Sequence, residues 1–64
     1  MLNITINTDN DAFQKNFVGE LNSLVFFASI DLYKRIKDGD ENIVIALPDS
    51  NGNCVGFLEY SIDQ

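Results

Sequence analysis

The chain has 64 residues, with ten acidic and four basic side chains, a net charge of −6, one cysteine and no histidine. A chain this short is expected to form a single domain over residues 1–64, and such a domain buries only about 60% of its unfolded surface. The lone Cys54 excludes an internal disulfide, and the lack of histidine excludes imidazole catalysis and Cys/His zinc sites. We therefore expect a protein that is not an enzyme and uses no cofactor or metal.

The acidic charge and the hydropathy pattern bear on partners and compartment. A net charge of −6 repels a phosphate backbone, so direct nucleic-acid binding is not expected. A basic protein surface, including one that normally holds nucleic acid, is the partner that this charge favours, although acidity also simply keeps small proteins soluble. No stretch approaches the roughly 18 apolar residues of a membrane span, and the first residues alternate instead of forming a leader. The sequence predicts a soluble cytoplasmic protein.

The first residues alternate apolar and polar side chains, which predicts a strand with one buried face. Its apolar members are Leu2, Ile4 and Ile6. Residues 8–11 are Thr, Asp, Asn and Asp, the types that cap a helix, so a helical turn through Phe13 is expected to follow. Metal binding by Asp9 and Asp11 is the alternative, but no third carboxylate lies nearby in the sequence.

Residues 16–37 have apolar side chains at helical spacing, which predicts one long helix, Phe17 to Ile36, packed on a sheet. The predicted core stripe is Phe17, Leu21, Leu24, Ala28, Leu32 and Arg35, widened by Val18, Val25 and Ile36. Gly19 weakens the helix by about 1 kcal/mol relative to Ala, and Gly39 ends it. The basic residues of the last turns suit the negative end of the helix dipole, and a basic recognition patch is the alternative interpretation. They are Lys34, Arg35 and Lys37.

A second group of large apolar side chains falls on the opposite side of this helix. We call it the helix patch, and its members are Phe26, Ile30 and Tyr33, with Phe27 on the flank. One helix cannot bury both of its sides in a three-stranded domain, so the patch indicates a contact with another chain. The alternative is a helix rotated so that some of these rings belong to the core.

Beyond the helix, an acidic turn leads to two further strands. The turn contains Asp38, Asp40 and Glu41. The apolar run of residues 42–47 predicts a strand, and Pro48 is expected to end its ladder pairing. Residues 49–53, Asp-Ser-Asn-Gly-Asn, predict a hairpin turn in which Asn51 and Gly52 supply positive φ angles. A calcium loop is the alternative, but the positions where it requires Gly and Glu hold Cys54 and Tyr60.

The last predicted strand covers residues 53–62, and its phase is left open by the sequence. Cys54, Gly56, Leu58 and Tyr60 share one parity, whereas Val55, Phe57 and Glu59 share the other. A β-bulge at Gly56 would allow both Val55 and Leu58 to face the helix. The predicted fold is therefore α+β, in the order β-α-β-β, with a three-stranded antiparallel sheet and the helix on one face. We place the last strand in the middle, which leaves two free edges that favour a homodimer.

Two motifs stand out beside the opening strand and the helix. They are Thr8-Asp9-Asn10 with Ala12-Phe13, and Asp49-Ser50-Asn51-Gly52-Asn53 with Val55-Gly56. Together these features cover nearly the whole chain and resemble a family of very small proteins encoded in bacteriophages and prophages. Members read T-D-N-x-A-F near the start and D-x-N-G-N-x-V-G near the end, and they carry no assigned active site. The resemblance implies a phage setting, where small acidic proteins often act against host defence, including as anti-CRISPR proteins. The chain departs from its relatives in mid-helix, where it has Phe26-Phe27 in place of Arg and Asp.

These observations lead to three hypotheses. The first is a non-enzymatic, phage-type inhibitor that acts in the host cytoplasm and binds a host defence protein by occlusion. That protein could belong to a nucleic-acid-binding complex. The helix patch would supply burial, and Asp38, Asp40 and Glu41 would supply attraction to a basic site. The second is a homo-oligomeric structural or regulatory module in which the patch joins copies of the chain. The third is a small-molecule-binding sponge with its pocket between subunits, where the acidic charge disfavours anionic ligands.

Overall fold

The computed structural model describes residues 1–62, so the last two residues of the predicted domain, 63 and 64, lie outside the described part. The elements in chain order are β1 (Leu2–Ile6), α1 (Asp11–Lys15), α2 (Phe17–Lys37), β2 (Asn42–Pro48) and β3 (Cys54–Ser61). The predicted α+β fold is confirmed, and the helical turn through Phe13 is the separate short helix α1. β2 ends at Pro48, as expected, although Pro48 itself is still paired with Cys54.

The sheet has the order β1-β3-β2, and β3 is antiparallel to both neighbours. This is the predicted order, in which the last strand lies in the middle and β1 and β2 form the edges. Leu58 of β3 is paired with Ile4 on one side and with Ile45 on the other. Directly paired residues point to the same face of a sheet, so this register determines which side chains meet the helix.

The core lies between α2 and the sheet, and α2 packs mainly against the edge strand β2. Its buried members are Phe13, Leu24, Ala28, Ile43, Ile45, Leu47 and Leu58. Because the helix lies over β2, the opposite edge of the sheet is poorly covered. Leu2 and Ile4 point to the helix side, yet both remain about half exposed. The predicted buried face of β1 is therefore wrong for these two residues, and only Ile6 packs against the core.

The buried stripe of α2 is narrower than the sequence predicted. Leu24 and Ala28 are buried, and Leu21 and Leu32 are partly buried against the core. The other members of the predicted stripe are exposed, because a helix beside one edge strand contacts the sheet along a narrow line. These are Phe17, Val18, Val25, Arg35 and Ile36. Neither helix within residues 1–62 is long and apolar enough to cross a membrane.

Asparagine side chains begin both helices. Asn10 accepts a hydrogen bond from the Phe13 N–H at 3.2 Å, and Asn16 accepts one from the Gly19 N–H at 3.1 Å. Gly19 thus lies in the first turn of α2, whereas the sequence suggested a weak point in the interior of the helix. A Cβ atom at Gly19 would lie 2.8 Å from the Cγ atom of Asn16. The glycine therefore provides the space in which the Asn16 side chain caps the helix.

The C-terminal end of α2 has the hydrogen bonds of a Schellman motif. The Asp40 N–H donates to the Arg35 carbonyl at 3.1 Å, and the Gly39 N–H donates to the Ile36 carbonyl at 3.0 Å. Gly39 has a φ angle of 94°, a conformation that side-chain-bearing residues rarely adopt. The prediction that Gly39 ends the helix is therefore confirmed.

β3 contains the expected β-bulge, but its extra residue is one position earlier in the chain than predicted. Leu47 pairs with Gly56 while Pro48 pairs with Cys54, so Val55 is the extra residue of a β-bulge. Val55 packs against the core and Leu58 is buried in it, so the bulge lets both contribute. At Gly56 the backbone of β1 approaches so closely that a Cβ atom would lie 2.9 Å from the Ile6 Cα atom.

The hairpin between β2 and β3 is built around a buried carboxylate. Asp49 is only 7% exposed, and its Oδ1 atom accepts hydrogen bonds from the Asn51 and Asn53 N–H groups, both at 2.9 Å. The turn prediction is confirmed, with one correction. Gly52 has a φ angle of 87°, whereas Asn51 does not adopt a positive φ. The Asp49 carboxylate replaces the second positive-φ residue by holding the backbone of the turn directly.

Candidate functional site

The helix patch is exposed, with Phe26, Ile30 and Tyr33 on the side of α2 that faces away from the sheet and Phe27 on the flank beside the β2–β3 hairpin. The exposed fractions are 68% for Phe26, 52% for Phe27, 42% for Ile30 and 62% for Tyr33. The alternative in which these rings complete the core does not hold. Helical periodicity explains the result, because Leu24 and Ala28 point at the sheet and the patch lies on the far side of the same turns.

The patch is bordered by two lysines and by Asp31, whose charge is paired with Arg35. The Lys37 Nζ atom lies 5.5 Å from the centroid of the Tyr33 ring, within the range of a cation–π contact. Lys34 and Asp31 line a shallow depression that Phe26, Phe27 and Ile30 complete. Asp31 is also engaged on its own helix, where its carboxylate accepts from the Arg35 Nε–H at 3.2 Å. The patch is thus an apolar surface with a cationic border at its C-terminal end.

The acidic turn lies just beyond this border. Its three carboxylates, Asp38, Asp40 and Glu41, are exposed, and they follow Lys37 in the connection from α2 to β2. Tyr33 and Asp38 are five residues apart, which corresponds to about 7.5 Å along a helix axis. The predicted partner-binding residues therefore run from the middle of α2 to the turn beyond its C-terminal end, with Lys37 between the apolar and the acidic group.

The uncovered face of the sheet carries a second apolar surface that the sequence analysis did not identify. Val44 and Phe57 are exposed there, and Ala46 is paired with Phe57. The sequence of β2 contained a signal for this surface. Residues of both parities are apolar in β2, which is typical of strands whose two faces are both covered. We call Val44, Ala46 and Phe57 the sheet patch. It lies on the opposite side of the molecule from the helix patch.

Other candidate chemistry is limited in the described part of the chain. Among residues 1–62, no group of three or more acidic or cysteine side chains is placed to hold a metal ion. The Asp49 carboxylate, which the calcium-loop alternative required, is committed to the backbone of its own turn. Cys54 is a free, exposed thiol at the start of β3. The largest unexplained features of the structure are therefore its two apolar surfaces.

Comparison of the chain with protein-family models, with curated proteins and with solved structures finds no match.

Proposed function

We propose that the protein is a non-enzymatic binding module of phage type that inhibits a host defence protein by covering part of its surface. The helix patch is the binding surface in this proposal. The single observation that carries it is the exposure of four large apolar side chains on one face of α2. Such clusters on small proteins mark protein contacts, because leaving them in water costs solubility and favours association.

The patch can supply the apolar anchors of a specific contact. Fully burying one large apolar side chain contributes roughly 1.5–3 kcal/mol before the costs of association. Two or three anchors of this kind form a hot spot of the type that dominates protein interfaces. The acidic turn at Asp38, Asp40 and Glu41 would then accelerate the approach to a basic target, such as a surface that normally holds nucleic acid.

The test is affinity capture from a bacterial lysate with three tagged proteins. These are the wild type, Ile30→Asp in the helix patch and Val44→Asp in the sheet patch as a matched control. We expect the wild type and Val44→Asp to retain the same host protein and Ile30→Asp to lose it. The captured protein should lose its own activity on addition of wild type, but not of Ile30→Asp. Retention by Ile30→Asp would refute the helix patch as the binding surface.

The contribution of the acidic turn is tested separately by salt. Replacing Asp40 by Asn and Glu41 by Gln should slow association and flatten its dependence on ionic strength, because screening acts on exposed charges. Association that is independent of salt in the wild type would contradict electrostatic attraction while leaving the helix patch intact.

A homo-oligomeric module is the second candidate function. The observation that favours it is the pair of free sheet edges, β1 and β2, beside two exposed apolar surfaces. A small-molecule sponge would require a pocket between subunits, and it therefore depends on the same self-association.

A further inference from the structure

The exposed face of α2 has a heptad pattern. Its residues are separated alternately by four and three positions, which is the spacing of a coiled-coil seam. The seam residues are Ser23, Phe26, Ile30, Tyr33 and Lys37, and Gly19 continues the spacing one turn earlier, where the Asn16 side chain covers it. A helix that only packs on its own sheet has no need for this second stripe. The helix patch is thus the centre of a seam that extends through most of α2.

We propose that this seam pairs with the seam of a second copy of the chain in an antiparallel helix dimer. In an antiparallel arrangement centred near residue 28, each large seam residue faces a smaller one of the other copy. Phe26 faces Ile30 and Ser23 faces Tyr33, while Lys37 comes to the level of Gly19, where the Asn16 side chain already fills the space. Alternation of large and small residues across an interface is what allows facing side chains to interdigitate.

Charge complementarity supports the same orientation. Glu20, Phe27 and Lys34 are spaced by seven residues and therefore lie along one flank of the seam. In the antiparallel dimer this flank meets its own copy, which places Phe27 against Phe27 at the two-fold axis. Glu20 of each copy then comes close to Lys34 of the other, at levels that differ by about 3 Å of helix rise. The dimer therefore gains two opposite-charge pairs.

A parallel dimer of the same seam lacks these features. It would place Lys37 against Lys37, a like-charge contact at the C-terminal end of the seam. It would also align the two helix dipoles, whereas the antiparallel pair opposes them. The size and charge patterns of α2 thus distinguish between the two orientations.

Self-association would compete with binding of the host protein, an inference that rests on the proposed function. The same side chains would contact the host protein and the second copy, so the two partners would exclude each other. The protein would be a dimer in the absence of the host protein, and binding of the host protein would dissociate the dimer into monomers. Such competition hides the apolar side chains of the patch until a tighter partner is present.

Charge reversal tests the dimer by sedimentation. Glu20→Lys and Lys34→Glu each replace both opposite-charge pairs by like-charge pairs, so each should raise the dimer dissociation constant by roughly 10- to 30-fold. An equimolar mixture of the two variants should form a heterodimer, because both cross pairs are then complementary. Lys15→Glu makes the same charge change in α1 and should leave the dissociation constant unchanged. Glu20 also accepts the Ser50 N–H at 2.7 Å, so circular dichroism must first show that Glu20→Lys is folded.

Cysteine cross-linking tests the orientation in a Cys54→Ser background. Phe27→Cys places two thiols at the two-fold axis, and oxidation should give a covalent dimer. Ser23→Cys should not cross-link, since the two positions differ by ten residues, roughly 15 Å along the axes. Cross-linking at Ser23→Cys but not at Phe27→Cys would establish the parallel arrangement and overturn the proposal.

The outcomes separate the dimer from the proposed function. The antiparallel dimer is overturned if the wild type is monomeric at all accessible concentrations. It is also overturned if a mixture of Glu20→Lys and Lys34→Glu stays monomeric while the wild type dimerises. If Val44→Asp dissociates the wild-type dimer and the charge reversals do not, the interface lies on the sheet patch, and the antiparallel helix dimer is overturned. Glu20 lies outside the helix patch and its border, so a folded Glu20→Lys variant should still capture a host protein. Loss of self-association with retained capture would then leave the proposed function standing.

Discussion

Replacing Gly56 by alanine tests how the sheet is held together. Gly56 lies beside the bulge of β3, where a Cβ atom would be 2.9 Å from both the Ile6 Cα atom and the Thr5 carbonyl carbon. Ordinary contacts between carbon atoms are about 3.5–4.0 Å, so these two atoms require β1 to move outward by at least roughly 0.6–1.1 Å. The Thr5 carbonyl oxygen lies closer still and requires a larger movement. The movement strains the hydrogen bond from the Asn7 N–H to the Val55 carbonyl, which is now 2.7 Å.

The cost follows from overpacking and from lost pairing. Inserting a methyl group into a site closed by backbone costs about 1–3 kcal/mol, and each backbone hydrogen bond lost adds about 1 kcal/mol. We therefore expect Gly56→Ala to lower the free energy of unfolding by about 2–4 kcal/mol. A 64-residue domain has only roughly 3–10 kcal/mol in total, so the variant should be barely stable or lose the docking of β1.

Urea denaturation followed by circular dichroism measures the change. Gly52→Ala is the matched control, because nothing lies within 4 Å of its Cβ position and only its φ angle of 87° is unfavourable. That strain costs roughly 1–2 kcal/mol. Hydrogen exchange should show loss of protection in β1 for Gly56→Ala alone. A Gly56→Ala variant as stable as wild type, or more stable than Gly52→Ala, would refute the close approach of β1.

Three further substitutions test the remaining structural elements. Asp49→Ala removes the acceptor of two backbone N–H groups and should destabilise the hairpin by about 2–3 kcal/mol in urea titrations, whereas Ser50→Ala should have little effect. Leu58→Ala leaves a cavity in the core and should cost about 2–4 kcal/mol, and an unchanged unfolding midpoint would contradict its burial. Gly19→Ala should be nearly neutral in thermal unfolding, because a gain of about 1 kcal/mol in helix propensity is offset by loss of the Asn16 cap. Clear stabilisation would show that this cap contributes little.

Periodicity in the sequence was sufficient to predict the elements and their order. The spacing along residues 17–36 predicted α2, and the placement of β3 between two antiparallel neighbours followed from the chain connections. The exposure of Phe26 and Tyr33 was also predictable, because a helix beside a three-stranded sheet can bury only one side. These features depend on local sequence patterns and on how much of the helix surface a three-stranded sheet can cover.

Features that depend on the lateral position of α2 could not be predicted. Nothing in the pattern of Leu2 and Ile4 shows that the helix lies over the other edge of the sheet. The role of Gly56 was also hidden, since it depends on the backbone of β1, which approaches only in three dimensions. In each case the deciding interaction is tertiary.

The most direct test of the binding surface is the solvent accessibility of the Ile30 methyl group. Methyl NMR with a soluble paramagnetic reagent measures it in the dilute protein and again at high concentration or with a captured host protein. We expect strong relaxation of the Ile30 signal in the dilute sample, and protection once a partner is present. The buried Ile45 methyl should be protected throughout. An Ile30 signal that stays fully accessible in the associated state would contradict a contact through the helix patch.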